Sequence, residues 1–290
     1  MVRHWLRLGA DGWRLDVVDE YPDELVRLIR QAARAEKPDA LILGEVWEDA
    51  SCKEAYGEQR QYLMGDELDS AMNYPLRQAI LDFLLKGDGT AFRRRLLELL
   101  EHYPRPCWDV MMNLLSSHDV PRAVTVLGGL PMEHHDRDWQ REHNTLTVAQ
   151  YYRGRQLFML GTLMCMTLPG MPSLYYGDEA GLVGYADPFN RGTYPWGRED
   201  TGLRECIRQM ALLRGSHPSL SGGEIEPIAC AAGLAAWRRY REEEETVICV
   251  NPGDQPATLP DAARGETLFT VGKLWERRLE GQSAVILRTR

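Results

Sequence analysis

Short apolar segments alternate with helical segments over the first 180 residues, and this alternation constrains the fold more than any other feature of the sequence. Apolar segments of strand length lie at 11–18, 40–46, 68–72, 110–115 and 171–176. Between them, apolar residues recur at helical spacing over 22–37, 76–85, 91–102 and 146–168. Strands that alternate with helices form parallel sheets with right-handed crossovers, so we predict an α/β fold.

The pattern changes after about Ser221, where the helical segments stop. Segments 234–241 and 246–251 flank four glutamates at 242–245 and indicate a hairpin, and 267–271 and 284–287 indicate further strands. We interpret the glutamates as a solvated turn rather than a metal site, because nothing in the sequence pins their side chains around one point. We therefore predict two domains: an α/β domain of residues 1–220 and a small C-terminal all-β domain of residues 221–290.

Composition excludes several classes of function. A net charge of −9 argues against a nucleic-acid partner, which needs a basic surface to displace counterions from phosphates. The longest apolar run, 157–169, is shorter than the ~20 residues of a membrane-spanning helix, so we expect a core helix there and no membrane association. The N-terminal segment lacks the apolar region of a signal peptide, which favours a cytoplasmic location.

Six cysteines are scattered along the chain, at positions 52, 107, 165, 206, 230 and 249. None of them belongs to a C-x-x-C pair. In a chain of 290 residues this pattern is typical of reduced, mostly buried thiols rather than of a disulfide framework or a zinc site.

Three acidic residues stand at or just beyond the end of a predicted strand: Asp16, Glu45 and Asp119. The strands of a parallel barrel all point their carboxyl ends to one face, so acids far apart in sequence converge there. Retaining glycoside cleavage needs a carboxylate nucleophile and a carboxylic acid about 5–5.5 Å apart. A single acid at a strand end more often caps the next helix, but three of them, with Arg14 near the first and His118 beside the last, favour a catalytic site.

Four segments together resemble the conserved regions of the α-amylase family, glycoside hydrolase family 13. GWRLDVVDE (12–20) is similar to the motif at barrel strand four, and GEVW (44–47) to the motif at strand five. NLLSSHD (113–119) resembles the motif at strand seven, and GMPSLYYGDE (170–179) the signature of strand eight. All four occur in the family's order. The resemblance implies a retaining glycoside hydrolase that cleaves α-1,4-glucosidic bonds in maltooligosaccharides, cyclodextrins or related α-glucans.

The resemblance also implies a role for each site residue. Asp16 matches the nucleophile that forms the glycosyl-enzyme intermediate, and Glu45 matches the general acid that later activates water. Asp119 matches the stabiliser of the transition state. Arg14, which is always charged, would hold Asp16 ionised and oriented, and His118 would hydrogen-bond the sugar in the subsite where cleavage occurs.

Within the family, the sequence is most similar to the neopullulanase, cyclomaltodextrinase and maltogenic amylase group. Trp13, Glu20, Trp47 and the run MNYP (72–75) carry this finer resemblance. It implies that Glu20 borders the leaving-group side of the cleft. Trp47 either stacks on a glucose ring or packs in the core, and the sequence leaves both interpretations open.

Two residues depart from the pattern of that group, and one loop matches the family without a definite role. Glu48 stands where the group often has histidine, and Ser116 where it often has glycine. Residues 187–191 and 195–197 resemble a family loop near the cleft, so we expect them to lie close to the substrate.

The resemblance begins in the helix before the fourth strand, so it implies a partial (β/α)8 TIM barrel with strands four to eight, followed by a small antiparallel β-sandwich domain. An open barrel exposes strand edges and apolar surface. We therefore expect the isolated chain to be weakly active or inactive, although its residues encode glycosidase chemistry.

Alternative functions remain open at this stage. A family transglycosylase or phosphorylase would use the same three acids with another acceptor, and a truncated relative could bind sugar without catalysis. No cofactor follows from the mechanism, and no acidic loop has the spacing of a calcium site, so we expect none, although many family members hold a structural calcium ion. The oligomeric state does not follow from the sequence.

Overall fold

The computed structural model describes residues 1–230 and 233–290. Its helices are α1 (Val2–Arg7), α2 (Asp23–Glu36), α3 (Tyr74–Lys86), α4 (Gly89–His102), α5 (Arg105–Asp109), α6 (Ala123–Gly128), α7 (Arg137–His143), α8 (Val148–Thr167), α9 (Thr201–Ser216) and α10 (Pro218–Gly222). The strands of the first part are β1 (Gly12–Leu15), β2 (Leu41–Gly44), β3 (Glu54–Ala55), β4 (Glu58–Gln59), β5 (Ser70–Ala71), β6 (Met112–Asn113) and β7 (Met171–Pro172). The strands of the second part are β8 (Glu224–Ile228), β9 (Ala235–Arg241), β10 (Glu244–Asn251), β11 (Ala257–Thr258), β12 (Glu266–Val271), β13 (Leu274–Trp275), β14 (Arg278–Leu279) and β15 (Ser283–Arg288).

Five strands of the first part lie side by side, in parallel and in chain order, as the alternating pattern predicts. β1 pairs with β2, and β2 pairs with β5. A parallel bridge from Met72 to Met112 carries the sheet from β5 to β6, and β6 pairs with β7. Because parallel strands share one direction, all five direct their carboxyl ends to the same edge of the sheet.

The strands are shorter than the apolar segments that predicted them. The segment 11–18 forms a ladder only over Gly12–Leu15, and a 3₁₀ turn begins at Val18. The segment 171–176 is paired only over Met171–Pro172. In each case the chain leaves the sheet at its carboxyl end and continues as a loop, so the apolar composition continues beyond the hydrogen-bonded part.

Helix α8 is the centre of the core. Every residue from 157 to 167 is buried, which agrees with the interpretation of this apolar run as a core helix. Its first half crosses α6 at close range, because a Cβ atom at Gly154 would lie 2.3 Å from the carbonyl oxygen of Val124. Glycine is required at this crossing.

Five helices, α5, α6, α7, α9 and α10, lie where the sequence indicated none, and the two longest of them, α7 and α9, show why. The polar stretch 131–144, expected as an excursion over the surface, contains α7, with Asp136 as its N-cap. Helix α9 was also missed, although Leu203, Ile207 and Met210 are buried at helical spacing and Asp200 caps it. Charged residues on the exposed face of α9 obscured this apolar stripe.

The second part contains two antiparallel sheets, a large one in the order β12–β15–β10–β9–β8 and a small one in the order β11–β14–β13. The central strands of the large sheet, β10 and β15, are buried on both faces over most of their length. Along β10, Val247 and Cys249 contact the core shared with the small sheet, whereas Ile248 and Val250 pack with the helices of the first part. Successive side chains of a strand point to opposite faces, so both faces of this strand are apolar.

The interpretation of the four-glutamate run as a turn was correct for two of its members. The turn contains Glu242 and Glu243, while Glu244 and Glu245 belong to β10. Glu244 accepts from His217 at 2.5 Å, and Glu245 accepts from Thr289 at 2.6 Å. The second half of the run therefore joins neighbouring segments instead of facing only water.

One buried cation joins the two parts of the chain. Arg239 of β9 is 1% exposed and donates to the carbonyl oxygens of Thr167 at 2.6 Å, Gly223 at 2.7 Å and Glu224 at 3.1 Å. Burial, with Arg214 and Arg105 nearby, lowers the pKa of Arg239 to about 9. The carbonyl oxygen of Thr167, at the end of α8, therefore receives a charged donor from the large sheet.

All six cysteines are free thiols; three are buried and Cys52 is exposed. Among the residues of the two described ranges, no helix combines the length and apolar character that a membrane span requires. Within the same ranges, no cluster of three or more histidine, cysteine, aspartate or glutamate side chains has a metal-binding arrangement.

Candidate active site

Asp16 and Glu45 lie side by side because β1 and β2 are in register. Leu15 pairs with Gly44 at the carboxyl ends of the two strands, and the amide of Glu45 donates to the carbonyl of Leu15 at 2.9 Å. Each acid is the first residue after its strand. The register of the parallel pair therefore places the two carboxylates at the same level.

A single guanidinium contacts both of these acids. Arg14 Nη1 hydrogen-bonds Asp16 Oδ1, and Arg14 Nη2 lies 3.0 Å from Glu45 Oε1. The two acids differ in accessibility: the Asp16 side chain is 68% exposed, and that of Glu45 is 4% exposed. Since arginine stays ionised, this contact holds a fixed positive charge between an accessible carboxylate and a buried one.

The backbone after Asp16 supplies a second partner for Glu45. The amide of Val17 donates to Glu45 Oε2 at 2.7 Å. Val17 has φ +43°, the left-handed region, which is rare for a β-branched residue. Such conformations persist only where the surrounding structure enforces them, and they occur often at functional sites.

Asp119 is held by the loop that follows β6. Its amide donates to Ser117 Oγ at 3.1 Å, and His118 Nε2 lies 3.0 Å from Asp119 Oδ2. Asn190 fixes the same loop from a distant segment. Its Nδ2 atom donates to the carbonyl oxygens of Ser117, His118 and Val120 at 3.1, 2.9 and 2.9 Å.

The neighbour of Asn190 adds positive charge near Asp119. Arg191 Nη2 lies 3.8 Å from Asp119 Oδ1, and Arg191 Nε lies 2.9 Å from Asp187 Oδ1. Arg191 Nε also donates to the carbonyl of His118 at 3.1 Å. The structure therefore places the loop 187–191 beside the third acid.

A buried ion pair contacts both the loop that follows β6 and the loop that follows β7. Arg122 and Asp178 are 0% and 2% exposed, and their Nη1 and Oδ1 atoms lie 2.9 Å apart. Burial raises the pKa of Asp178 to about 6, against the opposing effect of Arg122. Arg122 also donates to the carbonyl oxygens of Tyr176 at 2.8 Å and Asn190 at 3.0 Å. It thus connects the loop after β6 to the loop after β7.

An aromatic pair lines the site next to Glu45. Trp47 and Tyr74 stack with ring centroids 4.3 Å apart and planes 5° apart. Trp47 is 45% exposed, so it is a surface residue and the core interpretation was wrong. Burial raises the pKa of Tyr74, and the negative charges of Asp119 and Glu45 act in the same direction. Tyr74 therefore lies within the electrostatic range of both acids.

Glu20 lies on the same side of the sheet, in the 3₁₀ turn Val18–Glu20 after β1. It accepts a hydrogen bond from the hydroxyl of Tyr56, at the tip of the β3–β4 hairpin. Lys53, before this hairpin, contacts Asp19 at 3.1 Å and also pairs with Glu48. Glu48 is thus a partner of a lysine at this position.

The seven residues selected from the sequence occupy two connected groups. Arg14, Asp16, Glu20, Glu45 and Trp47 follow β1 and β2, whereas His118 and Asp119 follow β6. Sequence reasoning assigned no individual role to Tyr74, Asn190 or Arg122. The first two belong to segments that resemble the family, 72–75 and 187–191, and that resemblance was the available signal. Nothing near Arg122 in the sequence indicated its buried partner.

Comparisons with known proteins agree with this geometry. The family model described as alpha amylase, catalytic domain, matches residues 1–211. A cyclomaltodextrinase from Geobacillus thermopakistaniensis is 34% identical over 277 residues, which cover 92% of this chain and 42% of that protein. An amylopullulanase from Thermoanaerobacter thermohydrosulfuricus is 34% identical over 281 residues, which cover 87% of this chain and 18% of that protein.

Solved structures give the same result. The cyclic α-maltosyl-(1→6)-maltose hydrolase from Arthrobacter globiformis has a TM-score of 0.79 at 28% identity, covering 99% of this chain and 57% of that chain. This chain spans less than half the length of the two curated relatives above. The family model covers well over half of the chain and includes all three acids at the carboxyl edge of the sheet. The chain belongs to the α-amylase family.

Proposed function

We propose that this chain carries the machinery for retaining cleavage of α-1,4-glucosidic bonds in maltooligosaccharides, cyclodextrins or related α-glucans. The observation that carries the proposal is the bridging of Asp16 and Glu45 by Arg14. Two carboxylates that share one guanidinium are consistent with the separation of about 5–5.5 Å that retention requires. The names of the relatives, cyclomaltodextrinase and amylopullulanase, support the substrate class.

In the proposed first step, the exposed carboxylate of Asp16 attacks the anomeric carbon. The bond from that carbon to the leaving oxygen breaks as Glu45 transfers its proton to the oxygen, which leaves a glycosyl ester on Asp16. In the second step Glu45 takes a proton from water, the water oxygen attacks the same carbon, and Asp16 departs as a carboxylate. Asp119 stabilises the positive charge that develops on the sugar.

The surrounding residues have positioning and binding roles in this proposal. Arg14 and the amide of Val17 orient Glu45, and Asn190 fixes the loop of Asp119. His118 and Glu20 bind sugar hydroxyls. Trp47 offers a glucose ring the indole face that Tyr74 leaves open, because an aromatic face matches the apolar face of a sugar.

We further propose that the five parallel strands are strands four to eight of a (β/α)8 barrel and that the two antiparallel sheets form a β-sandwich domain. The boundary near residue 220 is supported by α10, which ends at Gly222, and by β8, which begins at Glu224. The cytoplasmic location and the lack of a cofactor stay predictions. So does the expectation that the isolated chain is weakly active or inactive.

The test therefore traps the intermediate and does not depend on turnover. The chain is incubated with 5-fluoro-α-D-glucosyl fluoride, and the labelled peptide is identified by mass spectrometry. We expect one fluoroglucosyl group on Asp16 and none in Asp16→Asn. Glu45→Gln should still be labelled, because fluoride leaves without protonation, but its adduct should persist, because no base activates water.

Glu48→Gln is the matched control, since it removes an exposed acid three residues from Glu45. Its labelling and release should equal those of the unmodified chain. A label on an acid other than Asp16, or a label on the Asp16→Asn chain, would contradict the proposed mechanism. Absence of any label in a chain with a normal unfolding transition would contradict the proposed activity.

A further inference from the structure

A shallow groove lies in the C-terminal part, far in sequence from the three acids. Its volume is about 650 Å³, within the ~300–1,000 Å³ range of small-molecule sites. Its wall includes Trp275 of β13, which is 67% exposed. A single exposed indole is not unusual, but Trp275 forms part of the wall of a concave surface, where its ring can contact a ligand.

The floor of the groove is fixed by hydrogen bonds between three segments. Gln156 of α8 donates to the carbonyl of Gln282 at 2.7 Å, and Gln282 donates through its side chain to Asp254 Oδ1 at 3.0 Å. The amide of Lys273 donates to Ser283 Oγ at 3.0 Å. The groove is therefore organised before any ligand arrives, which lowers the entropy cost of binding.

Close backbone approach contributes to the same rigidity. Gly272 has φ +78°, and a Cβ atom there would lie 2.2 Å from Ser283 Oγ. A residue with a side chain at this position would be strained and would also displace the serine that holds Lys273. Glycine thus lets the two segments meet beneath the groove.

Three charged side chains line the groove, and one oxygen of Asp254 already accepts from Gln282. Lys273, Asp254 and Glu280 all line it, and none of the three forms a salt bridge within residues 1–230 and 233–290. One positive and two negative charges do not suit a polyanion. Carboxylate, amide and ammonium groups around an aromatic face instead match a neutral ligand that combines an apolar face with many hydroxyl groups.

We propose that this groove is a second carbohydrate site, which holds an α-glucan chain by stacking a glucose ring on Trp275. Asp254, Glu280 and Lys273 accept from and donate to its hydroxyl groups. The choice of an α-glucan among carbohydrates rests on the proposed function. When one segment of a polymeric α-glucan lies at Asp16, Glu45 and Asp119, its other glucose rings are available to contact the protein surface. The groove would keep a long chain attached while another segment of it occupies the cleft.

Affinity electrophoresis of the full chain tests this site. Soluble amylose is incorporated in a native gel, and every variant carries Asp16→Asn so that the polymer is not degraded. We expect Trp275→Ala to weaken retention by about ten-fold, the effect of removing an aromatic anchor. Asp254→Ala combined with Glu280→Ala should weaken it less. Trp5→Ala, which removes another exposed indole, is the matched control and should leave retention unchanged.

The outcomes separate this inference from the proposed function. Retention of Trp275→Ala equal to that of its parent would overturn the groove site, whatever the labelling of Asp16 shows. Retention that depends on Trp275 in a chain that fluoroglucosyl fluoride does not label would support the groove and contradict the catalytic proposal. Thermal unfolding of Trp275→Ala should match that of the parent, because the side chain is mostly exposed, so weaker retention would not reflect unfolding.

Discussion

At the scale of single residues, the site depends on charges shared between neighbouring strands. Asp16 and Glu45 follow strands in register, and Arg14 contacts both. A guanidinium presents several donors in a planar fork, so it can meet two carboxylates at once. A lysine at the same position carries one compact ammonium group and would hold only one of them.

Arg14→Lys should therefore slow the labelling of Asp16 by fluoroglucosyl fluoride by about 100-fold, since small losses of orientation between reacting groups cost this much. The measurement is the rate of mass increase with time. Arg7→Lys, on the surface with a side chain 63% exposed, is the matched control and should label normally. A rate for Arg14→Lys close to that of the unmodified chain would show that the bridge has no positioning role.

At the scale of elements, helices α8 and α9 are joined by one carboxylate. Asp200 pairs with Arg155 at 2.6 Å, accepts from Tyr151 at 2.8 Å and caps α9 through the amide of Leu203 at 2.8 Å. Burial opposes its ionisation, but the bonds from Arg155, Leu203 and Tyr151 outweigh burial and lower the pKa of Asp200 to about 2. The Asp200 side chain thus caps helix α9 and links it to helix α8.

The lowered pKa predicts how stability depends on pH. The ordinary pKa of this carboxyl group is 3.8, so the ionised form stabilises the folded chain by about 2 kcal/mol above pH ~4. This contribution is lost as the pH falls from about 4 to 2. Asp200→Asn should lower the free energy of unfolding, measured with urea at pH 7, by about that amount.

The same measurement at lower pH provides the check. The difference between the Asp200→Asn variant and the unmodified chain should shrink toward pH 3. Asp261→Asn, at a side chain 89% exposed, should cost little at either pH, because exposed ion pairs contribute little. A difference that stayed constant from pH 7 to pH 3 would exclude the ionised carboxylate as its source.

At the scale of the whole molecule, the large antiparallel sheet is held between the small sheet and the helices. Trp237 of β9 is fully buried and lies 6.3 Å from Phe92 of α4, centroid to centroid. Arg239, two residues later on the same face, donates to three carbonyl oxygens near the end of α8 and the start of β8. The two parts of the chain therefore share one core and one polar connection.

Arg239→Met should destabilise the folded chain by about 3 kcal/mol, because it leaves buried carbonyl oxygens without a donor while keeping a similar apolar volume. The midpoint of urea unfolding, followed by tryptophan fluorescence, measures the effect. Arg241→Met, at an exposed position of the same strand, is the control. If both variants unfolded at the same urea concentration as the unmodified chain, the buried arginine would not stabilise the junction.

Much of the fold and part of the site could be predicted from the sequence. The alternation of apolar segments predicted five parallel strands, and Asp16 and Glu45 were selected because each stands at or just beyond the end of a predicted strand. These features depend on the order of residue types over short stretches of the chain, which can be read directly from the sequence. Helix α9 was missed although Asp200 and the spacing of Leu203 and Ile207 were available as signals.

The remaining features are set by contacts between distant segments. Asn190 reaches the loop of Asp119 across about 70 residues, and Arg122 reaches Asp178 across 56. Trp275 faces a groove whose floor includes Gln156. By itself, the sequence determined which acids could carry the chemistry, since strand order and side-chain identity are local. Only the tertiary structure decided which residues hold those acids and what the exposed tryptophan faces, since burial and proximity arise when the chain is folded.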